Sequence, residues 1–543
     1  MAFPMPLVAP VTRATFPFTL NPPLFLGISG IVTQNPFLRF PGRGEFCAET
    51  SSPNGIMGKT EKERKAMKKI VLVVGLLLFC LYSFALAEDN DAPETLYVLG
   101  REALDRGSYQ EALGYFNRVL ELVPEHPEAL NDKGVALYFL GRYREAIEAL
   151  KTALKLDPEY ALAHYNLGTT YFEIRDYEQA EQHLRQALKL DPQNGDVSYN
   201  LGVLYLETGE YHKGAIYFQE AYRLSQSPRT LNNLGNCYYY LGFLDLARET
   251  YEKVLTQDPT YAYAYYNLGN VYADWGEIQK AEENYRKAIA LDPGYAMAYN
   301  ALGNLYYSQE DYPKALEAYQ QVVQIDPSSL DGWLNLGNTY YEMGYLYRSI
   351  ASYEELLALN PNDHVVLTYM GINYLDLGRY HTAIEKLTEA LQVNPDYAPA
   401  YYNLGNVYFD MEDFPRAIEM YRKALDLDPS YKSAFNNLGN AYVFTGDYPE
   451  ALQSYEKALE LDPDYFLAWY NLANLHFKME KYQEAIEAYQ RALSLDPRNP
   501  QVHYELGLSY LRVGDFESLE KELEFLEELD PEKARELREE MGK

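Results

Sequence analysis

The sequence predicts an all-α solenoid of thirteen helix-turn-helix copies with a C-terminal capping helix, and three observations predict it. A small residue, Gly in all copies but one, recurs at 100, 134, 168, 202, 235, 269, 303, 337, 371, 405, 439, 473 and 507. Every step is 34 residues except the 33 between Gly202 and Gly235, and a fixed period in this range marks stacked supersecondary units. The same register holds elsewhere. Ala stands twelve residues after the marker in ten copies, and Pro stands twenty-four after it in twelve. Finally, residues such as Leu268, Gly269 and Tyr272 share one helix face.

The elements follow in chain order. Residues 1–56 are rich in Pro and Phe and carry no period. They read as an unstructured or mis-assigned extension ahead of a start at Met57 or Met67, or as an acid-poor transit segment. Residues 57–87 read as a signal peptide or signal anchor. Lys59, Lys62, Arg64, Lys65, Lys68 and Lys69 precede the apolar run Ile70–Phe84 and the ending Ala85-Leu86-Ala87. Cleavage near Ala87 gives an exported, periplasmic or extracytoplasmic chain. Left uncleaved, residues 70–87 sit at the lower length limit for a membrane span and would anchor it. In both cases the basic flank stays in the cytoplasm. Residues 88–92 form a short linker, 93–533 the thirteen repeats, and 534–543 the end of the capping helix.

Charge separates these parts. The 543 residues carry 47 Lys+Arg and 79 Asp+Glu, a net −32. Nine basic and four acidic residues lie in 1–87, giving +5 there and −37 over the remainder. So acidic a surface repels phosphate backbones and argues against nucleic acid as a partner. Cys47, Cys80 and Cys237 are too few for a disulfide framework or a Cys-based zinc site.

Each copy accounts for itself physically. A Gly seven past the marker (Gly141, Gly209, Gly276, Gly446) supplies the left-handed turn after the first helix. Asp176, Asp311, Asp413, Asp447 and Asp515 are placed to cap the second. Pro in Leu-Asp-Pro, as at Leu461-Asp462-Pro463, stops that helix. Small residues at the marker and Ala positions let helices approach closely, and large Tyr and Leu fill the remaining volume. This explains much of the 54-residue Tyr content.

The pattern resembles the tetratricopeptide repeat (TPR) family over about four fifths of the chain, 93–533. Departures are few: Gly214 replaces the Ala, Ser349 and Leu356 replace small residues, and Ser225–Pro228 is one residue short. The resemblance implies a right-handed superhelix whose first helices line a concave groove, and a protein–protein interaction scaffold. It does not imply an enzyme, and the residues agree. The eight His form no H-E-x-x-H pair, no metal or cofactor is called for, and His164, His476 and His503 stand at aromatic positions.

The informative residue is Asn. Two before the marker stand Asn166, Asn200, Asn233, Asn267, Asn335, Asn403, Asn437 and Asn471; one after it stand Asn236, Asn270, Asn304, Asn338, Asn406, Asn440 and Asn474. In the family these positions face the groove. Asn is a mediocre helix former, and its amide can donate to and accept from a peptide main chain. The arrangement resembles the Asn ladder of the O-GlcNAc transferase repeat domain, which grips extended polypeptide. The alternative is that the amides only bond to neighbouring helices. Tyr266, Tyr402 and Tyr470, with Tyr239, Tyr307 and Tyr341, are expected to flank the ladder. Glu173, Glu207, Asp274, Glu342, Asp376 and Asp410 would make the groove acidic and favour ligands with Lys or Arg. The expected partners are other proteins or extended peptides, with no membrane contact except through 70–87. A recruiting arm for a separate glycosyltransferase-like subunit and a purely structural spacer are the alternatives.

Overall fold

The computed structural model describes residues 92–542. The extension 1–56, the signal or anchor segment 57–87 and residues 88–91 of the linker lie outside the described residues. Those described hold thirteen helical hairpins and one further helix, with no strand. They divide after Asp292 into two compact units. The first carries six hairpins, from Pro93–Asp105 to Ile278–Leu291. The second carries seven, from Ala296–Ser308 to Phe516–Leu529, and ends in the helix Pro531–Met541. Within each unit a helix packs on its hairpin partner and on its next neighbour, and first helices of successive hairpins touch. No helix among the described residues is long and apolar enough to cross a membrane.

The hairpin turn is left-handed in all thirteen repeats. Nine use Gly, and Arg175, Glu310, Glu412 and Glu480 adopt φ of 59–61° at the equivalent position. Asp176, Asp311, Asp413 and Asp515 accept from the N–H three residues on, capping the second helix as their spacing predicts. Asp447 differs. Its carboxylate accepts the Thr445 hydroxyl at 2.6 Å and makes no cap bond. At the far end, Asp258, Asp326, Asp428 and Asp462 accept from the backbone N–H two residues on at 2.9–3.0 Å. Asp thus closes the turn that Pro opens. In the 33-residue copy, Tyr211–Ser225 ends on left-handed Gln226, and Pro228 opens the next helix.

The marker Gly is needed for close approach. A Cβ on Gly405 would lie 2.4 Å from the Tyr421 ring, and one on Gly269 2.5 Å from Tyr285. Substituted positions are compensated locally. Where Gly214 replaces Ala, Cys237 fills the space, its Sγ 3.0 Å from where a Cβ would stand. That thiol is fully buried and pushed up to about 12 by burial, so it is unreactive. Ser349 is buried and accepts from Asn373 Nδ2 at 3.2 Å. At the C-terminus, Leu537 covers Gly507, and Ala534 is buried beside an otherwise charged helix.

Two of the histidines at aromatic positions behave as aromatics with a donor. His164 Nε2 and His503 Nε2 lie 3.1 and 3.0 Å from the carbonyls of Pro158 and Pro497. Trp333 and Trp469 donate to Pro327 and Pro463 in the same way.

Candidate functional site

The post-marker Asn residues are joined to the core by one repeated bond. A Tyr sixteen residues after the marker donates its hydroxyl to the amide oxygen of the post-marker Asn, and in six of the seven repeats its ring packs on the marker Gly. The pairs are Tyr251–Asn236, Tyr285–Asn270, Tyr319–Asn304, Tyr353–Asn338, Tyr421–Asn406, Tyr455–Asn440 and Tyr489–Asn474, at 2.6–2.9 Å. Burial pushes all seven phenols up, so they stay protonated and donate.

The pre-marker Asn residues bridge successive first helices. Asn267 Nδ2 donates to Asn232 Oδ1 and Asn236 Oδ1, both at 3.0 Å, and Asn335 to Asn300 and Asn304 at 2.9 and 3.4 Å. Asn437 donates to Tyr402 and Asn406, both at 3.0 Å, and Asn471 to Asn436 at 2.9 Å. Asn233 donates to the Tyr199 hydroxyl at 3.1 Å, and Asn403 turns to the Pro399 carbonyl at 2.8 Å. The buried Asn166 Oδ1 and Asn471 Oδ1 have no partner. Asn233, Asn338, Asn403, Asn406, Asn437, Asn440 and Asn471 are buried, whereas Asn236, Asn267, Asn270, Asn335 and Asn474 are half-buried.

Tyr266, Tyr402 and Tyr470 depart from the expected aromatic lining. They are 7, 2 and 3% exposed, with their rings turned into the core. The Tyr402 hydroxyl takes an amide hydrogen from Asn437. The aromatic surface left half-buried comes from Tyr239, Tyr307 and Tyr341.

A second bridge joins Tyr and carboxylate in consecutive repeats: Tyr138 to Glu173 at 2.9 Å and Tyr341 to Asp376 at 2.8 Å. Burial raises the pKa of Glu173, Glu207, Asp376 and Asp410. Glu505 occupies the pre-marker position of the last repeat, 6% exposed, and burial raises its carboxyl to about 7.

Tetratricopeptide repeat models match 97–161, 140–186, 165–228, 226–293, 284–317, 330–363, 398–464, 436–500 and 470–518, and a TPR model matches 303–344 and 371–412. The chain belongs to the tetratricopeptide repeat family. As a TPR protein it is a protein–protein interaction scaffold. A comparison with curated proteins gives no match. Among solved structures it is similar to a chain of the APC/C hetero-tetramer Cut9-Hcn1, at 17% identity over 77% of this chain and 96% of that one, TM-score 0.40. It is also similar to MamA, at 31% identity over 30% and 95%, TM-score 0.28. YrrB, a TPR protein with an unusual peptide-binding site, aligns at 26% identity over 34% and 96%, TM-score 0.31. The family matches, not these superpositions, carry the assignment.

Sequence reasoning missed the core Tyr as the partner of the ladder, although the signal was present. Asn follows the marker in seven copies, and Tyr stands sixteen after it in those same seven; the other six have Phe or Leu there.

Proposed function

We propose that this TPR scaffold is non-enzymatic, is exported or anchored through residues 57–87, and holds extended segments of other proteins along the Asn-bearing face of its first helices. The supporting observation is repetition. Around Gly405, Gly439 and Ala473, successive repeats place an amide before and after the marker: Asn403 and Asn406, Asn437 and Asn440, Asn471 and Asn474. Asp410 ends the helix that bears Asn403 and Asn406, and Asp376 ends the first helix of the preceding repeat; their carboxylates would favour segments bearing Lys or Arg. A sequence-tolerant grip on main chain suits a scaffold with several clients.

Capture of partners from the exported compartment tests this. Full-length protein is expected to retain a discrete set of proteins that is lost when Asn406→Asp and Asn440→Asp are combined, with helicity unchanged. Capture that survives in a helical variant contradicts the reading. The exported form is expected to begin at Glu88; a product retaining 70–87 supports the anchored form.

A further inference from the structure

We infer that His164 and His183 form a binding site for a divalent transition-metal ion, Cu(II) before others. The site uses none of the Asn residues and is independent of the peptide-binding reading. Sequence register brings the pair together. His164 stands four residues before the marker Gly168, and His183 fifteen after it. The last repeat has His503 and Glu522 at the same two positions. There His503 Nδ1 and the Glu522 carboxylate lie 2.5 Å apart and are buried, so the pair is closed on itself. His164 and His183 are half-buried, and their two Nδ1 atoms lie 3.0 Å apart.

The partners set the tautomers. His164 Nε2 lies 3.1 Å from the Pro158 carbonyl, which can only accept, so the ring proton sits on Nε2. Its Nδ1 is then a lone pair, and His183 Nδ1 donates to it. Metal-binding imidazoles are set up in this way, one nitrogen donating to a backbone carbonyl and the other left to coordinate. As the ion binds, the His183 proton passes from Nδ1 to Nε2, and both Nδ1 atoms coordinate. Burial, aided at His183 by His164 and Lys151, holds both imidazoles below their ordinary value, so no second proton has to leave. The Tyr171 ring lies parallel to His183, centroids 5.8 Å apart, and supports that ring.

Spacing selects the class of ion. Imidazole nitrogens bind at about 2.0–2.1 Å, so two of them 3.0 Å apart subtend roughly 91–97° at the ion. That is the angle between neighbouring ligands in the tetragonal sites of Cu(II) and Ni(II). A tetrahedral ion would hold them about 3.3–3.4 Å apart, so Zn(II) fits less well. Cu(II) is also the tightest binder of the divalent series. No group of three or more His, Cys, Asp or Glu able to hold a metal lies among the described residues. The pair therefore supplies two ligands and leaves the other positions to water.

The test titrates the full chain, free of any affinity tag, with Cu(II) chloride and records the electron paramagnetic resonance spectrum. One Cu(II) per chain is expected, with hyperfine splitting from two nitrogens. Two variants borrow residues that other repeats carry. His164→Trp keeps a donor to the carbonyl, as Trp333 and Trp469 do, and removes the lone pair. His183→Asn copies Asn284 at the same position. Each should lower Cu(II) affinity at least tenfold with helicity unchanged, and either decides alone if the other loses helicity. His212→Asn, at an exposed histidine, should leave the affinity as it is. Absence of the two-nitrogen signal overturns the inference, as does equal or tighter binding of Zn(II). A Cu(II) affinity that survives in the folded variants places the ion elsewhere on the chain and overturns it too.

Discussion

The repeat around Gly371 and the repeat around Gly405 lie side by side in the second unit and solve one packing problem with different chemistry. In the former, Leu387 fills the space over the marker, Ile372 follows it, and both are buried. In the latter, Tyr421 fills the same space and its hydroxyl bonds to Asn406. Their helices have the same lengths and the same turn. Stacking does not require the amide. An apolar pair builds the same hairpin without desolvating a phenol and an amide. Seven of thirteen repeats nevertheless carry the polar pair. Its distinguishing product is an amide held by the tyrosine hydroxyl, which the Leu repeat lacks.

The largest expected difference is in packing. Leu387→Ala should cost about 2–5 kcal/mol by cavity formation, whereas Tyr421→Phe removes only a hydroxyl and should cost about 1 kcal/mol. Urea midpoints measure both. Equal costs would mean that the polar pair, rather than the ring, holds its repeat together.

The terminal repeat sharpens the comparison, since it has Leu508 and Leu523 at the Ile372 and Leu387 positions but a buried carboxyl, Glu505, before the marker. Its folded pKa of about 7 lies above the ordinary 4.5, so the folded state holds a proton the unfolded state releases. Stability from this group is full below about pH 4.5 and is lost as pH rises through 7, on the order of 3 kcal/mol. His503 works in the same direction. Burial lowers its pKa, but the Glu522 carboxylate 2.5 Å away and the Pro497 carbonyl outweigh burial and raise it. Its contribution is complete below the unfolded value near 6.5 and fades above it. Urea midpoints from pH 5 to 8 should fall in the wild type, and Glu505→Gln should flatten the part below about pH 7. A rise with pH would contradict the assignment.

Next in size is the polar pair itself. Asn440→Ala strands the Tyr455 hydroxyl and should cost about 1–3 kcal/mol. Combining Asn440→Ile with Tyr455→Leu copies the Gly371 repeat and should return stability to within about 1 kcal/mol of wild type. A double variant worse than either single change would show that the two repeats are not interchangeable.

The smallest effect lies in the turns. Gly378 is left-handed without strain, and Glu412 is left-handed with a side chain. Glu412→Gly should stabilise by about 0.5–1 kcal/mol.

Much of this was legible in the sequence. A 34-residue period leaves little freedom in the fold, because marker, Ala, turn Gly and Pro each occupy a position whose physical demand is local. The ladder was legible as a row of Asn, but not as a row with assigned ends. Which end of Asn406 is spent depends on Tyr421 fifteen residues on and Asn437 in the next repeat, a relation across helices that the helix period does not carry. Spacing along the chain gives a face but not its depth, so Tyr402 and Tyr470 fall on the lining by register and in the core by burial. Asp447 stands at a cap position, but the competing hydroxyl of Thr445 takes its carboxylate.

The central claim is that the amides of residues 403–474 hold extended polypeptide. The most direct measurement selects twelve-residue peptides on the full chain and titrates them against wild type and against the Asn440→Ile, Tyr455→Leu double variant at matched stability. The selected peptides are expected to lose at least tenfold in affinity for the double variant, while its helicity and urea midpoint stay near wild type. Undiminished affinity in that folded variant would contradict it.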